Sequence, residues 1–249
     1  MVQTKLFMFK ENAPNYEIVD GFVRHGYVKE NAILAKKYQI DIAKNCLYQN
    51  TAVVLPTGLG KTIIALLVVA KVLPKKVLFL APTKPLVMQH YGNCKKFLDI
   101  DEKEIIMFSG SVSTKKRAQL FNDARVIVST PQTIKNDLEN KLYSLEQFGL
   151  VIFDEMHKAV EKYAYVEIAK RFDGLVLGLT ASPGSKRHKI KKIFENLKIK
   201  NIESRVRDDS DVKGHVKDIQ IDWVKVPMGE NLKKIQEPLN DLFLEKVKK

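Results

Sequence analysis

The chain has 249 residues, of which 45% are hydrophobic, and it carries a formal net charge of +13. This length fits one α/β domain with an appendage or two small domains, and the hydrophobic content argues against wholesale disorder. A basic excess of this size favours a polyanionic partner such as nucleic acid, although it also occurs in ordinary soluble proteins.

Cysteine usage and hydropathy predict a cytoplasmic protein. Cys46 and Cys94 have neither a metal-binding nor a redox spacing, which argues for a reducing compartment and against a disulfide scaffold. No stretch approaches the roughly 20 apolar residues that a membrane span needs. The N-terminus also lacks the order of a signal peptide. We therefore expect no membrane partner.

Short apolar runs alternate with helical periodicity from Thr51 to about Glu203. The predicted strands are Ala52–Leu55, Val77–Ala81, Ile105–Phe108, Val126–Ser129, Leu150–Phe153, Leu175–Leu179 and Ile199–Glu203. The predicted helices are Lys61–Leu73, Pro85–Leu98, Ser113–Asp123, Gln132–Asn140, Ala159–Phe172 and Lys186–Leu197. Most strand candidates are continuously apolar, which is typical of strands covered by helices on both faces. The alternation predicts parallel βαβ units in a doubly wound α/β sheet.

The two flanks of this region follow other patterns. A helix is predicted over Ile33–Tyr48, and an alternating strand over Ile219–Val226, in which we expect Trp223 to be buried. The last amphipathic helix, Asn231–Val247, has no C-terminal cap, so we expect the parent protein to continue beyond it. The predicted organisation is a preamble at 1–35, an ATP-binding domain at 36–227 and the start of a helical insertion or linker at 228–249.

A glycine-rich segment, Leu55-Pro-Thr-Gly-Leu-Gly-Lys-Thr62, lies between a predicted strand and a predicted helix. Its glycines allow a tight turn whose N–H groups face phosphate oxygens, and the helix N-terminus adds partial positive charge. Lys61 is expected to reach the β- and γ-phosphates of ATP, and the Thr62 hydroxyl to bind Mg²⁺. The predicted nucleotide-binding residues are Pro56, Thr57, Gly58, Leu59, Gly60, Lys61 and Thr62. The general pattern has Gly or Ala where this chain has Leu55, but the strand–turn–helix context argues against a chance glycine-rich turn.

A second apolar strand ends in two carboxylates, in the segment Leu150-Val-Ile-Phe-Asp-Glu-Met-His157. In parallel sheets ligands bind at the strand carboxyl ends, so Asp154 and Glu155 should face the same crevice as the glycine-rich loop. Asp154 is expected to hold Mg²⁺ through water, and Glu155 to orient or deprotonate the attacking water. Alone, such a pair is more simply explained by a solvated loop, but about 90 residues after a glycine-rich phosphate loop the functional interpretation is much stronger. His157 could be a core histidine, since no second ligand stands at a zinc spacing.

Together these motifs resemble helicase superfamily two, and within it the archaeal Hef helicases and their Fanconi anaemia group M relatives. The segments that carry the resemblance are Val54-Leu-Pro-Thr-Gly-Leu-Gly-Lys-Thr62, Ala81-Pro-Thr-Lys-Pro-Leu86, Ser129-Thr-Pro-Gln-Thr133, Phe153-Asp-Glu-Met-His157 and Gly178-Leu-Thr-Ala-Ser-Pro-Gly184. The likeness extends from about Tyr38 to about Val226. It implies a RecA-like P-loop NTPase domain that uses ATP and Mg²⁺, the first of two motor domains.

Further roles are implied by the resemblance alone. Gln39 is expected to recognise the adenine edge, and Thr180 and Ser182 to couple the nucleotide state to His157 through hydroxyl hydrogen bonds. The residues expected to hold a nucleic-acid backbone are Thr83, Lys84, Gly110, Thr130 and Pro131. Thr83 and Thr130 are also explained as helix N-caps, and the Thr180 segment as a plain strand-end turn.

Three features temper these expectations. Family members usually carry an arginine shortly before the glutamine, where this chain has Lys36 and Lys37, which weakens the case for tight adenine recognition. The acidic motif usually ends in Ala-His, so Met156 is expected to be a packing change. From Gly184 to Lys200 there are seven Lys or Arg residues and one Glu, but the helical spacing of the apolar residues favours a solvated helix face over a nucleic-acid patch.

Three functions remain open at this point. The resemblance favours an ATP-driven DNA helicase or translocase acting on forked or branched DNA. An RNA-directed member of the superfamily is the first alternative, because the motor motifs contact mostly backbone. A nucleotide-gated clamp with little catalysis is the second. No segment after Ser182 resembles the arginine-rich motif of a second RecA-like domain, so these residues alone are expected to be nearly inactive as an ATPase.

Overall fold

The computed structural model of the protein describes residues 16–215, 223–227 and 229–247. The chain divides into two compact units, Met1–Val216 and Lys217–Lys249. The first unit begins with a small antiparallel ribbon of β1 (Glu17–Val19) and β2 (Phe22–Arg24). Among the described helices, none is long and apolar enough to cross a membrane.

Seven parallel strands form the central sheet of the first unit. They are β3 (Thr51–Val54), β4 (Lys76–Leu80), β5 (Ile105–Phe108), β6 (Val126–Ser129), β7 (Phe148–Asp154), β8 (Leu175–Thr180) and β9 (Asn201–Ser204). Their order across the sheet is β5-β6-β4-β7-β8-β3-β9. The helices of this unit are α1 (Lys37–Asn45), α2 (Lys61–Val72), α3 (Lys84–Phe97), α4 (Thr114–Asp123), α5 (Pro131–Glu139), α6 (Ala164–Lys170) and α7 (Arg187–Asn196).

Helices cover both faces of this sheet. On one face Ile42 of α1, Leu66 of α2 and Val87 of α3 belong to one apolar cluster. On the other face the apolar residues of α4 to α7, such as Ile134 and Ile168, form a second cluster. Each fully buried Val, Leu or Ile contributes roughly 1.5–3 kcal/mol, so the two clusters account for the continuously apolar strands. The predicted doubly wound α/β fold is confirmed.

Two predicted helices begin later in the structure. The helix predicted from Ile33 begins at Lys37, because Ile33 accepts a backbone hydrogen bond from Val23 at 2.8 Å and so joins the N-terminal ribbon. The helix predicted from Ala159 begins at Ala164. The backbone of Glu161 has a left-handed φ of 52°, which is incompatible with a right-handed helix.

The strand predicted over Ile219–Val226 falls partly outside the described residues, because 219–222 are not among them. Residues 223–226 are not in a strand, and Trp223 is 91% exposed, so its predicted burial is wrong. An alternating pattern forms a strand only where a neighbouring strand supplies hydrogen bonds. The described part of the second unit contains one helix, α8 (Glu230–Val247), whose larger apolar side chains are exposed.

Candidate functional site

The strand order brings the predicted site residues to one edge of the sheet. The three strands β7, β8 and β3 lie side by side, and their carboxyl ends lead into Asp154 with Glu155, into Thr180 with Ser182, and into the loop at 55–62. The three strands β5, β6 and β4 carry the rest: Gly110, Thr130 with Pro131, and Thr83 with Lys84. The nucleotide motifs therefore occupy one half of this edge, and the predicted nucleic-acid contacts occupy the other.

The loop at 55–62 turns through two glycines in the left-handed region. Gly58 has a φ of 89° and Gly60 a φ of 80°, which glycine adopts at little cost. Lys61 begins α2, and its Nζ donates to the carbonyl of Leu55 at 2.7 Å. Burial lowers the pKa of Lys61, and the carboxylates of Glu155 and Asp154 oppose that effect. The loop thus combines a turn, a helix N-terminus and a half-buried ammonium, a donor set that fits phosphate.

The Gln39 side chain is tied to this loop. Gln39 is only 4% exposed, and its Nε2 donates to the carbonyl of Leu59 and to the hydroxyl of Tyr38, both at 3.2 Å. The Tyr38 hydroxyl donates to the same Leu59 carbonyl at 3.0 Å. On the outer side of the loop, Arg207 Nη2 donates to the carbonyl of Thr57 at 3.4 Å. The sequence missed Tyr38 and Arg207, because neither contact belongs to a motif.

Gly60 combines a left-handed backbone with a close approach of the Gln39 side chain. A Cβ at Gly60 would lie 2.2 Å from Gln39 Nε2, whereas a Cβ at Gly58 would have no heavy atom within 4 Å. We expect Gly60→Ala to displace Gln39 and to lower the preference for ATP over GTP about tenfold, the value of one lost hydrogen bond to a buried group. Equilibrium binding of fluorescent ATP and GTP analogues measures this preference.

The matched control is Gly58→Ala. It places alanine at a similar left-handed φ, so its backbone strain is comparable, of order 1–3 kcal/mol, but it does not touch Gln39. Both variants should bind nucleotide more weakly, and only Gly60→Ala should lose the base preference. Equal preferences in the two variants would contradict a role for Gln39 at the adenine.

Asp154 is held rigidly at the end of β7. It is 7% exposed, and its Oδ2 lies 2.9 Å from Nε2 of His90, which is 4% exposed. Its backbone carbonyl accepts a hydrogen bond from the Tyr165 hydroxyl at 2.6 Å. Sequence motifs missed His90, but a signal existed, because Val87, His90 and Cys94 lie at helical spacing and share the buried face of α3.

A short series of polar contacts leads away from the second carboxylate. Glu155 has a left-handed backbone with φ 50° and ψ 50°, and its Oε2 lies 3.2 Å from His157 Nδ1. The same Nδ1 lies 3.2 Å from Thr180 Oγ1. The Thr180 hydroxyl donates to the Ser182 carbonyl at 2.8 Å. The chain Glu155–His157–Thr180–Ser182 therefore connects the ends of β7 and β8.

The predicted backbone contacts lie next to this site but are not equally exposed. Thr83, Lys84 and Gly110 are exposed, Thr130 is half-buried and Pro131 is buried. Thr83 and Thr130 both occupy N-cap positions, and neither side chain makes a capping hydrogen bond. The Thr130 hydroxyl instead lies 3.0 Å from the Thr133 hydroxyl in the first turn of α5, and Thr83 is exposed beside the carboxyl end of β4.

Two other sequence features lie outside the site. Met156 is fully buried, and a Cβ at Gly178 would lie 2.4 Å from its Sδ, so the methionine fills the space above that glycine. Helix α7 buries Ile193, and most of its lysines are exposed. This distribution agrees with a solvated helix face.

Known proteins match the chain in sequence and in structure. Residues 32–185 match the family described as type III restriction enzyme, res subunit. The crystal structure of the Pyrococcus furiosus Hef helicase domain has a TM-score of 0.77 and 42% identity, covering 85% of this chain and 47% of that one. A Methanocaldococcus jannaschii protein named as an ATP-dependent RNA helicase is 40% identical over 232 residues, which are 91% of this chain and 30% of that protein. The ATP-dependent DNA helicase fml1 of Schizosaccharomyces pombe is 33% identical over 219 residues, 84% of this chain and 26% of its own length.

The matched family region contains the glycine-rich loop, the carboxylate pair and the Thr180 segment. The Hef neighbour shares the sheet that brings these three together. The chain spans less than half of each of these relatives. It belongs to the family described as the res subunit of type III restriction enzymes, and within it to the superfamily two helicases of the Hef and Fanconi anaemia group M type.

Proposed function

We propose that this chain is the ATP-binding RecA-like domain of a DNA helicase or translocase that acts on forked or branched DNA. One observation carries the proposal most strongly. The loop at 55–62 and the Asp154–Glu155 pair share a sheet edge with the exposed Thr83, Lys84 and Gly110. Binding nucleotide beside a nucleic-acid strand is the arrangement that a motor needs.

In this proposal each group of the nucleotide half has a role. The ammonium of Lys61 neutralises the β- and γ-phosphates, and Thr62 with Asp154 holds Mg²⁺, Asp154 through water. The bound Mg²⁺ would supply charge neutralisation at the transferring phosphoryl group. Glu155 orients the attacking water or takes its proton, and Gln39 contacts the adenine.

The chain Glu155–His157–Thr180–Ser182 is proposed to report the nucleotide state. Its atoms lie 2.8–3.2 Å apart, so a movement of Glu155 toward water is transmitted to the segment that follows β8. A second RecA-like domain in the parent protein would supply an arginine finger, which contributes roughly 10³–10⁵ in rate. We therefore propose that residues 1–249 alone bind ATP weakly and hydrolyse it very slowly.

DNA is favoured over RNA as the partner. The proposed contacts at Thr83, Lys84, Gly110 and Thr130 engage the phosphate backbone, so binding is mostly sequence-independent and weakens as salt rises. The Schizosaccharomyces pombe relative is named as a DNA helicase. The Methanocaldococcus jannaschii relative is named as an RNA helicase, which is the observation that keeps an RNA substrate as the second candidate.

Because Cys46 and Cys94 are buried free thiols, we also propose a reducing, cytoplasmic location.

The deciding experiment is the ATPase rate of the full-length parent protein with forked DNA, single-stranded DNA and structured RNA. We expect forked DNA to stimulate most. Stimulation chiefly by RNA would replace the DNA proposal with the RNA candidate. Equal rates with and without every nucleic acid would contradict a motor and favour a nucleotide-gated clamp.

A further inference from the structure

A buried arginine donates hydrogen bonds to the loop between β5 and α4. This loop carries the exposed Gly110, and Arg117 in α4 is only 7% exposed. Arg117 Nη1 donates to the carbonyl of Ser109 at 3.4 Å and to the carbonyl of Val112. Both acceptors are backbone carbonyls of the loop, so one side chain holds two points of the loop backbone together.

The same guanidinium joins this loop to α5. Arg117 Nε donates to Asp137 Oδ2 at 2.8 Å, and Nη2 donates to Asp137 Oδ1 at 2.5 Å. Asp137 is fully buried and lies in α5, the helix that begins directly after Thr130. Arg117 therefore connects the two outermost segments of the predicted nucleic-acid half. We call the Arg117–Asp137 pair the loop clamp.

Arginine is needed for this geometry. All three guanidinium nitrogens make contacts, and their planar fork matches the carboxylate, whereas a lysine ammonium can serve only part of this set. Hydrogen bonding to Asp137 raises the pKa of Arg117, so the side chain stays charged. A buried ion pair is often replaceable by apolar residues without loss of stability, so stability alone does not explain it.

We propose that Arg117 and Asp137 are positioning residues for nucleic-acid binding. The loop clamp holds Gly110 and the Thr130 end of α5 at a fixed spacing, so that both meet phosphates of one strand. This inference rests on the proposed function. Arg117 itself is buried and does not touch the strand, and Gly110–Ser113 carries no charged side chain. The contacts that the clamp positions are therefore uncharged.

The test uses Arg117→Lys in the full-length protein. A fluorescent single-stranded oligothymidylate reports DNA affinity by anisotropy across a range of salt concentrations, and a fluorescent ATP analogue reports nucleotide affinity. We expect the DNA dissociation constant to rise on the order of tenfold, the loss of one or two good hydrogen bonds. ATP affinity should not change, because the nucleotide half lies on β7, β8 and β3.

Because Arg117→Lys keeps a cation, the salt dependence is measured on Arg117→Met combined with Asp137→Leu, where it separates positioning from direct contact. Each cation that neutralises a phosphate of a single strand adds about 0.7 to the slope of log affinity against log salt. A clamp that positions uncharged contacts predicts an unchanged slope. A slope smaller by about 0.7 would mean that Arg117 touches a phosphate, and would overturn the proposal.

Two further variants keep the proposal falsifiable. Tyr143→Phe removes the hydroxyl that donates to Asp137 Oδ2 at 3.0 Å but leaves Arg117 in place, so it should bind DNA as the unmodified protein does. If Arg117→Lys does not fold, Arg117→Met combined with Asp137→Leu keeps α4 and α5 packed without the clamp, and should show the same loss. Unaltered affinity in a folded clamp variant refutes the clamp. Failure of the unmodified protein to bind any nucleic acid refutes the proposed function instead.

Discussion

Replacement of Glu155 by glutamine is expected to lower the ATPase rate of the full-length protein by about 10²- to 10⁴-fold, the usual contribution of a positioned general base. Glutamine keeps the size of the side chain but cannot accept the proton of the attacking water. ATP binding should persist, because Lys61 and the glycine turn are untouched. Comparison of the rate with the affinity for a fluorescent ATP analogue separates the two effects.

The backbone of Glu155 is left-handed, with φ 50° and ψ 50°, and a similar φ recurs outside the site. The chain offers a matched control in Glu161, which is exposed and has a φ of 52°. Glu161→Gln makes the same chemical change at a similar backbone angle outside the site, and should leave the rate unaltered. A Glu155→Gln rate within about tenfold of the unmodified enzyme would argue against a base at this position.

The sequence predicts well what depends on local pattern. The strand Ile105–Phe108 and the strand Val126–Ser129 have the predicted bounds, because continuous apolar runs between turn signals are local features. Asp154 lies at the end of its strand for the same reason. Placement of these motifs at one edge follows from the parallel arrangement, since every carboxyl end then points the same way.

Contacts between distant elements are not predictable in this way. His90 meets Asp154 because β4 and β7 are neighbours in the sheet, although β5 and β6 come between them in sequence. Arg117 meets Asp137 because β5 and β6 are neighbours in the sheet and each is followed by one of the two helices. Strand order is decided by global packing, which residue spacing does not encode. The predicted burial of Trp223 was wrong for a related reason, because burial needs a partner surface as well as an apolar side chain.

The contact between His90 and Asp154 leads to the second large expected effect. His90 Nε2 is the side-chain partner that fixes Oδ2 of the carboxylate, at 2.9 Å, and its ring stacks on Phe79 with centroids 4.3 Å apart. Partners that orient a metal-binding carboxylate typically contribute 10- to 100-fold in metal affinity. We therefore expect His90→Phe to raise the Mg²⁺ concentration for half-maximal binding of a fluorescent ATP analogue by about 10- to 100-fold.

A matched pair of variants isolates the hydrogen bond from the packing. His90→Phe keeps an aromatic ring to stack on Phe79 but removes the N–H donor, whereas His90→Gln loses the ring and keeps a donor near the position of Nε2. If Asp154 depends on that donor, glutamine restores the Mg²⁺ requirement and phenylalanine does not. If ring packing alone matters, phenylalanine behaves as the unmodified protein and glutamine fails. Helix α3 begins at Lys84, one of the residues proposed to contact the nucleic acid. The first outcome would therefore also show that this helix is hydrogen-bonded to the carboxylate proposed to hold Mg²⁺.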